Sequence, residues 1–516
     1  MITRFIRRLF GVSEKPTSNP DAVPAATEKT LKLNKAKQGA RKIGDAMVYS
    51  GREYGMRLDR LSPNAIKVCE TLQSAGFKAY IVGGGVRDSM LGINPKDFDV
   101  ATDATPEEVK AEFRRAMIIG RRFRLVHVTF GREIIETATF RALQTDALTD
   151  EHGRVLRDNQ FGTQKEDAQR RDFTVNALYY DPKSDTILDY HGGVPDLQNK
   201  VLRMIGDPEV RYREDPVRML RVVRFAAKLG FTIDEPTAAP IKAMADLLDN
   251  VPSARLFDEM LKLLTCGYSL KCLQQLRAMG LHHGLLPLLD VVFEQPAGER
   301  FVTQALTNTD HRIQQEKSIS PSFLFATLLW PQVRVRWDAL LANGEYAIPA
   351  LMQAIDSVLD EQSERLAIQR RYQADMRELW SMQPRFDRRS GQMPYKLLEH
   401  LRFRAAYDFL LLRCQSGEMP ELLGIWWTEF SEGDAETRAD LIEQAAAAAK
   451  SGLKLGTNLT NKSATSAGPR KRKRSRKPSG KGVSIAAEPQ AVDSYASGSL
   501  GSGSVAPDFQ ATKPST

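Results

Sequence analysis

Gly83-Gly84-Gly85-Val86-Arg87-Asp88-Ser89-Met90-Leu91-Gly92, followed closely by Lys96-Asp97-Phe98-Asp99-Val100, carries most of the structural information in this chain. Lys78 to Val82, just upstream, reads as a buried strand that runs into the three glycines. Val86 to Leu91 reads as a short helix closed by Gly92, and Asp97 to Val100 as a second strand. Residues i and i+2 of a strand face the same way. Asp97 and Asp99 therefore project together, and Phe98 and Val100 face the opposite side. Two adjacent carboxylates repel and raise a pKa unless a cation lies between them. Mg²⁺ is suited to that place, being hard, oxygen-bound and usually shared with substrate phosphates. Two such ions ~3.5–4 Å apart activate an attacking hydroxyl and stabilise a leaving phosphate. An Asp-x-Asp by itself is more often a solvated strand edge; the glycine turn shifts the balance. Gly84 and Gly85 allow backbone N–H groups to approach phosphate oxygens, and Arg87 offers a fork for a triphosphate. No Gly-Lys-Ser/Thr follows, which excludes a Walker loop, and consecutive glycines do not match the dinucleotide-binding spacing.

Around this stretch the pattern is α/β. Pro63 to Gly76 has helical spacing, and Thr105-Pro106-Glu107-Glu108 is a capping box opening a helix to about Ala116. Ile118-Ile119, Leu125 to Phe130 and Glu133 to Phe140 read as strands. Helical pattern returns at Gln164–Ala177, and Leu178 to Val201 reads as a hairpin turning at Gly192-Gly193. From Pro208 onward strand signals almost vanish. Helical segments are expected at Arg218–Leu229, Pro240–Leu248, Ser253–Leu264, Leu270–Met279, Pro321–Trp330, Ile348–Leu359, Glu361–Trp380 and Pro394–Cys414. All five tryptophans lie in this part and are expected as core anchors rather than base-stacking rings. The architecture is an α/β head with a small mixed sheet and helices, an all-α body and a disordered basic C-terminal tail.

Further polar groups complete the candidate site. Glu136, mid-strand among apolar residues, is placed where an unpaired charge would be costly; an exposed Glu136 is the bland alternative. Asp172 and Asn176 share a helical face at i, i+4, with Arg170 and Arg171 adding positive charge near the presumed phosphates. Either Glu136 or Asp172 could complete a metal cage. Asp215 and Arg218 stand three apart at a helix start and could read a nucleobase edge; spacing alone favours a helical salt bridge.

The chain has 516 residues, 42% of them hydrophobic, and no apolar run long enough to span a membrane. Four cysteines, Cys69, Cys266, Cys272 and Cys414, lack CxxC spacing, which excludes a zinc ribbon or disulfide scaffold and fits a reducing cytoplasm. Of the net charge of +9, residues 451–516 contribute +8, from eleven Lys/Arg against three Asp/Glu. Their centre, Arg470-Lys471-Arg472-Lys473-Arg474-Ser475-Arg476-Lys477, cannot bury enough apolar surface to fold and reads as an electrostatic arm for RNA. Met1 to Phe10 is basic and amphipathic; peripheral membrane contact is open to it, and a disordered leader is the simpler expectation.

The blocks Gly-Gly-Gly-Val-Arg-Asp (83–88), Asp-Phe-Asp (97–99), Arg-Arg-Asp-Phe-Thr-Val-Asn-Ala (170–177) and Glu-Asp-Pro-Val-Arg (214–218), in this order, resemble the bacterial poly(A) polymerase/tRNA nucleotidyltransferase family, the class II nucleotidyltransferases. The resemblance runs from about residue 65 to 264 and more weakly to 427. Upstream of it, residues 1–60 read by composition as a largely disordered leader, and the resemblance implies a catalytic nucleotidyltransferase head at 61–205. A helical neck at 206–265 would bind nucleotide and RNA, a helical body at 266–450 RNA, and the tail would occupy 451–516. By the same resemblance Asp97 and Asp99 are catalytic and bind two Mg²⁺ ions, Glu136 matches the third strand carboxylate, and Asp172 matches a catalytic position. Gly84, Gly85, Arg87, Asn176, Asp215 and Arg218 match nucleotide-binding positions. Ile118 to Val128 looks like the block marking the polymerase branch, and the tail resembles that branch's basic C-terminus. No His-Asp dipeptide occurs, so the phosphohydrolase domain of some CCA enzymes is absent, and His282-His283 is expected to be a turn. The expected activity is template-independent transfer of AMP from ATP to RNA 3′ ends. The resemblance further implies a role in RNA decay, with RNA-decay proteins as partners. The alternatives are a CCA-adding enzyme and a non-catalytic RNA-binding protein.

Overall fold

The computed structural model describes residues 41–120, 124–143, 160–281 and 296–450. Nine strands among them form one mixed sheet: β1 (Arg41–Ile43), β2 (Ala46–Ser50), β3 (Ala79–Val82), β4 (Asp99–Thr102), β5 (Ala116–Ile119), β6 (Leu125–Phe130), β7 (Glu133–Thr139), β8 (Leu178–Asp181) and β9 (Thr186–Asp189). Their order is β1-β2-β9-β8-β3-β4-β7-β6-β5, with β4 and β7 parallel and the other neighbours antiparallel. One face, carrying Ile81, Val100, Val126, Val128 and Ile135, is buried in the main core with α1 (Pro63–Ser74) and α3 (Pro106–Glu112). The other face carries Val82, Ala101, Phe140 and Tyr179 in a small cluster with Ala168 of α4 (Gln164–Arg170). Between β3 and β4 lies α2 (Gly84–Met90).

Several local expectations are corrected. Residues 41–60 were expected within a disordered leader, yet β2 pairs with β9 and Tyr49, Tyr54 and Met56 are buried. So short a strand shows its alternation only against its partner. The helix opened by the Thr105 capping box stops at Glu112, because Phe113 turns extended and leads into β5. The pattern over 164–177 breaks at Arg171, whose ψ of 166° is extended. Phe173 then bridges to Met204, and a 3-10 turn follows at Thr174–Asn176. Ending the helix forgoes a few tenths of a kcal/mol per residue of propensity (~0.5). Fully burying Phe173 and Val175 contributes roughly 1.5–3 kcal/mol each and outweighs it. The hairpin turns at residues 182–185 rather than at Gly192-Gly193, which opens α5 (Gly193–Asn199). Asp189 draws the chain round there by accepting the N–H groups of His191, Gly193 and Val194. A Cβ on Gly193 would meet the Thr174 carbonyl oxygen at 2.2 Å, so only glycine fits.

Beyond the sheet come α6 (Pro208–Glu214), α7 (Val217–Leu229), α8 (Ser253–Leu264) and α9 (Ser269–Ala278). Among the described residues the only later strand is Thr232–Ile233, paired in parallel with Val201–Leu202. The body follows as α10 (Pro296–Gln314), α11 (Pro321–Ala342), α12 (Ala347–Arg365), α13 (Arg370–Met382), α14 (Met393–Leu398), α15 (Phe403–Gln415), α16 (Glu421–Glu432) and α17 (Ala435–Lys450). The segment expected as one helix over Glu361–Trp380 is broken at Leu366 to Gln369, where Leu366 and Ile368 plug the core. The one expected over Pro394–Cys414 is broken between Leu398 and Phe403. Conversely α11 runs on twelve residues past Trp330, through Pro331. All five tryptophans are buried, and the indole N–H groups of Trp330, Trp380 and Trp427 bond within the protein, to Glu418, Ala326 and Phe386. They are core anchors, with no ring face left for a base. No helix among the described residues is long and apolar enough to cross a membrane. Met1 to Phe10, His282-His283 and the tail residues Arg470 to Lys477 lie outside the described residues.

Candidate active site

The strand β3 delivers the chain to Gly83, whose φ of 68° and ψ of −130° suit glycine alone. The turn leads directly into α2, which packs against β3 and β8. Gly85 serves close approach: a Cβ there would lie 3.0 Å from the Phe98 ring. Phe98 is buried beneath α2, which leaves Asp97 and Asp99 exposed on its other side. β4 begins at Asp99 rather than at Asp97, but the alternation of exposed and buried residues extends back through Asp97. The two carboxylates thus share a side as the i, i+2 spacing predicts.

Both line a cleft of about 860 Å³ whose walls include Gly84, Gly85, Arg87, Asp172, Asn176, Asp215 and Arg218. Glu136 does not line it, but it is the register partner of Asp99 across β4 and β7. It is exposed, and its Oε1 stands 3.4 Å from Nε2 of His127. The Asp99 side chain is reached by water from the cleft, yet the surrounding walls remove enough solvent to push its pKa up to about 6. The charges of Glu136 and Asp97 add to that rise, and Arg171 opposes it. Among the described residues no three His, Cys, Asp or Glu side chains converge on a common metal position. The donor set fits Mg²⁺ all the same, since that ion takes one or two carboxylates and completes its shell with water and substrate phosphates.

A hydrogen-bonded chain forms the cleft wall. Lys228 Nζ lies 3.4 Å from Asp88, and Arg87 donates from Nε to Asp88 Oδ1 at 2.7 Å. Arg87 also donates to the Asn176 side-chain oxygen. Asn176 donates in turn to Asp172 Oδ1 at 3.0 Å, and Arg221 grips Asp172 Oδ2 from Nε and Nη2 at 2.8 and 2.5 Å. Lys228 and Arg221 both belong to α7, so the chain closes a loop between the sheet and that helix. Burial acts to raise the Asp172 pKa, but Arg221 and the hydrogen bonds from Asn176 and the Phe173 N–H outweigh it and hold the carboxyl below its usual range. Phe225 is buried between the guanidinium groups of Arg87, Arg221 and Arg224, 4.4–5.4 Å from its ring centre.

These contacts bear on three expectations. Asp172 is committed to Arg221 and Asn176, so it braces the wall, and its pairing with Asn176 arises across a broken helix. Arg87 lines the cleft but is only 3% exposed and is already engaged by Asp88 and Asn176. Asp215 and Arg218 form no helical salt bridge: Asp215 Oδ2 accepts from Arg255 at 2.7 Å, and Arg218 donates to Glu214 and to the Arg211 carbonyl, both at 2.8 Å. Asp215 Oδ1 is buried without a hydrogen-bond partner, a vacancy of the kind a ligand donor fills. Arg170 and Arg171 line the cleft but are both ion-paired to Asp167, which they and Tyr179 hold at a pKa of about 2 against its burial. Arg221, Arg224, Lys228 and Arg255 also line the cleft and were not singled out from sequence. Arg221 and Arg224 do continue the i, i+3 spacing from Arg218, a signal that could have found them.

The family described as "Poly A polymerase head domain" matches residues 79–203, and "Probable RNA and SrmB- binding site of polymerase A" matches residues 230–293. "Polymerase A arginine-rich C-terminus" matches residues 343–478. Poly(A) polymerase I of Salmonella typhi is 49% identical over 383 residues, covering 72% of this chain and 82% of that protein. Poly(A) polymerase I of Haemophilus influenzae is 44% identical over 418 residues, covering 78% and 91%. The CCA-adding enzyme of Lactobacillus helveticus is 40% identical over 211 residues only, covering 40% of this chain and 52% of that enzyme. Similarity to the polymerases thus runs through head and body, and similarity to the CCA enzyme covers less than half of the chain. The chain is a nucleotidyltransferase and belongs to the poly(A) polymerase I family.

Proposed function

We propose that the protein adds AMP from ATP to RNA 3′ ends without a template, with Asp97 and Asp99 as its catalytic acids. The observation that carries this reading is the paired acids on the wall of a cation-lined cleft, beside a glycine turn built for close approach. Asp97 and Asp99 would hold two Mg²⁺ ions, which supply charge neutralisation at the phosphates and an acidified hydroxyl. Glu136, one strand further, adds negative charge to that site. Gly84 and Gly85 admit the triphosphate to the first-turn amides of α2, which have no carbonyl partners within the helix. Arg87, through Asn176 and Asp172, fixes the wall against which the nucleotide is held. Asp215 and Arg218 face the base: an acceptor and a donor together match the exocyclic amine and ring nitrogen of adenine, and equally those of cytosine.

In the reaction the RNA 3′-oxygen bonds to the α-phosphorus, the bond from that phosphorus to the β-bridging oxygen breaks, and pyrophosphate leaves. One of the paired carboxylates accepts the hydroxyl proton. Positioning and charge stabilisation do the rest. The four cysteines are unpaired, which supports a reducing, cytoplasmic setting. Adenylation of RNA for decay, in company with decay proteins, is the biological role this reading supports.

The direct test is nucleotide choice. Purified protein with Mg²⁺ and a generic RNA primer is expected to add a run of A from ATP alone. Ordered addition of C, C and A to a tRNA lacking its end, from CTP and ATP, would overturn the reading in favour of the CCA-adding alternative. The tail provides a second test. If Arg470, Lys471, Arg472, Lys473, Arg474, Arg476 and Lys477 each meet a phosphate of single-stranded RNA, deleting residues 451–516 flattens the log–log salt dependence of binding by roughly 5. Fluorescence anisotropy across a salt series measures this, and an unchanged slope removes the tail from RNA binding.

A further inference from the structure

We infer that the open face of β5, β6 and β7 is the platform on which the last nucleotides of the RNA acceptor lie, an inference that rests on the transferase reading above. Strand pairing sets a row across the sheet: Asp99 beside Glu136, Glu136 beside His127, and His127 beside Met117. Residues directly opposite one another share a face, so the row leads from the paired acids to β5, the last of the described strands in the sheet. Alternation along each strand adds Ile134, Leu125 and Ile119 to the same face. On the reverse of these strands Val126, Val128 and Ile135 are buried. On the Asp99 side Met117 is 60% and Ile134 49% exposed, and Leu125, Ile119 and His127 are half-buried. An apolar surface continuous with a catalytic centre calls for an occupant.

Direction identifies that occupant. Asp97 and Asp99 line the cleft and Glu136 does not, so Asp99 stands at the border between the cleft and the sheet face. A triphosphate held by Gly84 and Gly85 lies on the β3 side of that border. In-line transfer requires the attacking oxygen to enter opposite the leaving pyrophosphate, which is the β7 side. That oxygen ends a polynucleotide, and the surface adjoining its entry point is this face. Apolar side chains pack on any base without reading it, and the Met117 thioether is well suited to the ring of a base. A platform of this kind accepts 3′ ends of any sequence.

The test is photocrosslinking of the full-length protein to an oligoadenylate carrying 4-thiouridine at its 3′ terminus, a measurement that needs no catalysis. Crosslinks are expected in peptides from residues 116–138; crosslinks confined to the helical body, or none, overturn the inference. In steady-state assays Met117→Glu, at an exposed site the fold tolerates, raises KM for RNA about tenfold. It leaves KM for ATP within about twofold and the thermal midpoint unchanged. An unchanged KM for RNA overturns the platform, and so does loss of a protein partner with RNA kinetics intact, which would assign the face to protein docking. Failure of the transferase reading shows separately, as wild-type protein that extends no RNA.

Discussion

Nucleotide addition by the double variant Asp97→Ala, Asp99→Ala falls on the order of 10³-fold or more, with RNA binding and the fold retained. Both side chains are exposed in the cleft, and the buried partner that anchors this segment, Phe98 under Gly85, is untouched. The variant removes charge that the cleft holds unfavourably. Asp99 has its pKa raised to about 6 from 3.8, first by the solvent that the cleft walls remove and then by Glu136 and Asp97. A carboxyl raised in the folded state binds more protons there than in the unfolded chain, so stability falls as pH rises from about 4 to 6. At pH 7, without divalent cations, the double variant is therefore expected to melt higher than wild type, and the difference to vanish below about pH 4. Scanning calorimetry checks this. A variant that melts lower at neutral pH shows that the acids are structural, and one that extends RNA at the wild-type rate removes them from the chemistry.

The second large effect is on stability. Asp172→Ala leaves Arg221 and Asn176 without their shared acceptor and breaks the chain that ties α7 to the sheet. Removing one partner of a buried pair costs roughly 3 kcal/mol or more, because the remaining charge stays desolvated. Asp172→Asn retains the shape and half the acceptors and is expected to lose less. The Asp172 pKa is lowered, so its contribution is present above the unfolded value of 3.8 and is lost as pH falls below it. Urea titrations at pH 7 and at pH 3 are expected to show a wild-type advantage over Asp172→Asn that is smaller at the second than at the first. Equal stability of wild type and Asp172→Ala at pH 7 refutes the bracing role.

What sequence could reveal here follows from the range of the interactions. The strand–glycine–helix–strand order and the side shared by Asp97 and Asp99 depend on residues a few positions apart, and local alternation and turn chemistry report them well. Spacing found the Asn176–Asp172 pair, but the other partner of Asp172 is 49 residues away in sequence and Arg255 meets Asp215 across 40, so spacing along one helix could not reach them and wrongly offered an Asp215–Arg218 bridge. Helical periodicity at 164–177 was genuine, but Phe173 and Val175 are claimed by the core, and burial outweighs propensity. β2 escaped notice because five residues alternating against one remote partner leave no periodic trace. Glu136 shows both limits at once: its strand was legible, whereas its registry with Asp99 came only with the parallel pairing of β4 and β7.

The most direct measurement is a crystal structure of the protein with Mg²⁺ and a non-hydrolysable ATP analogue. The expected result is a nucleotide in the cleft, its phosphates between Gly84–Gly85 and a cation held by Asp97 and Asp99, and its base against Asp215 and Arg218. A nucleotide bound elsewhere, with the two carboxylates bare, would contradict the assignment of this cleft as the site of transfer.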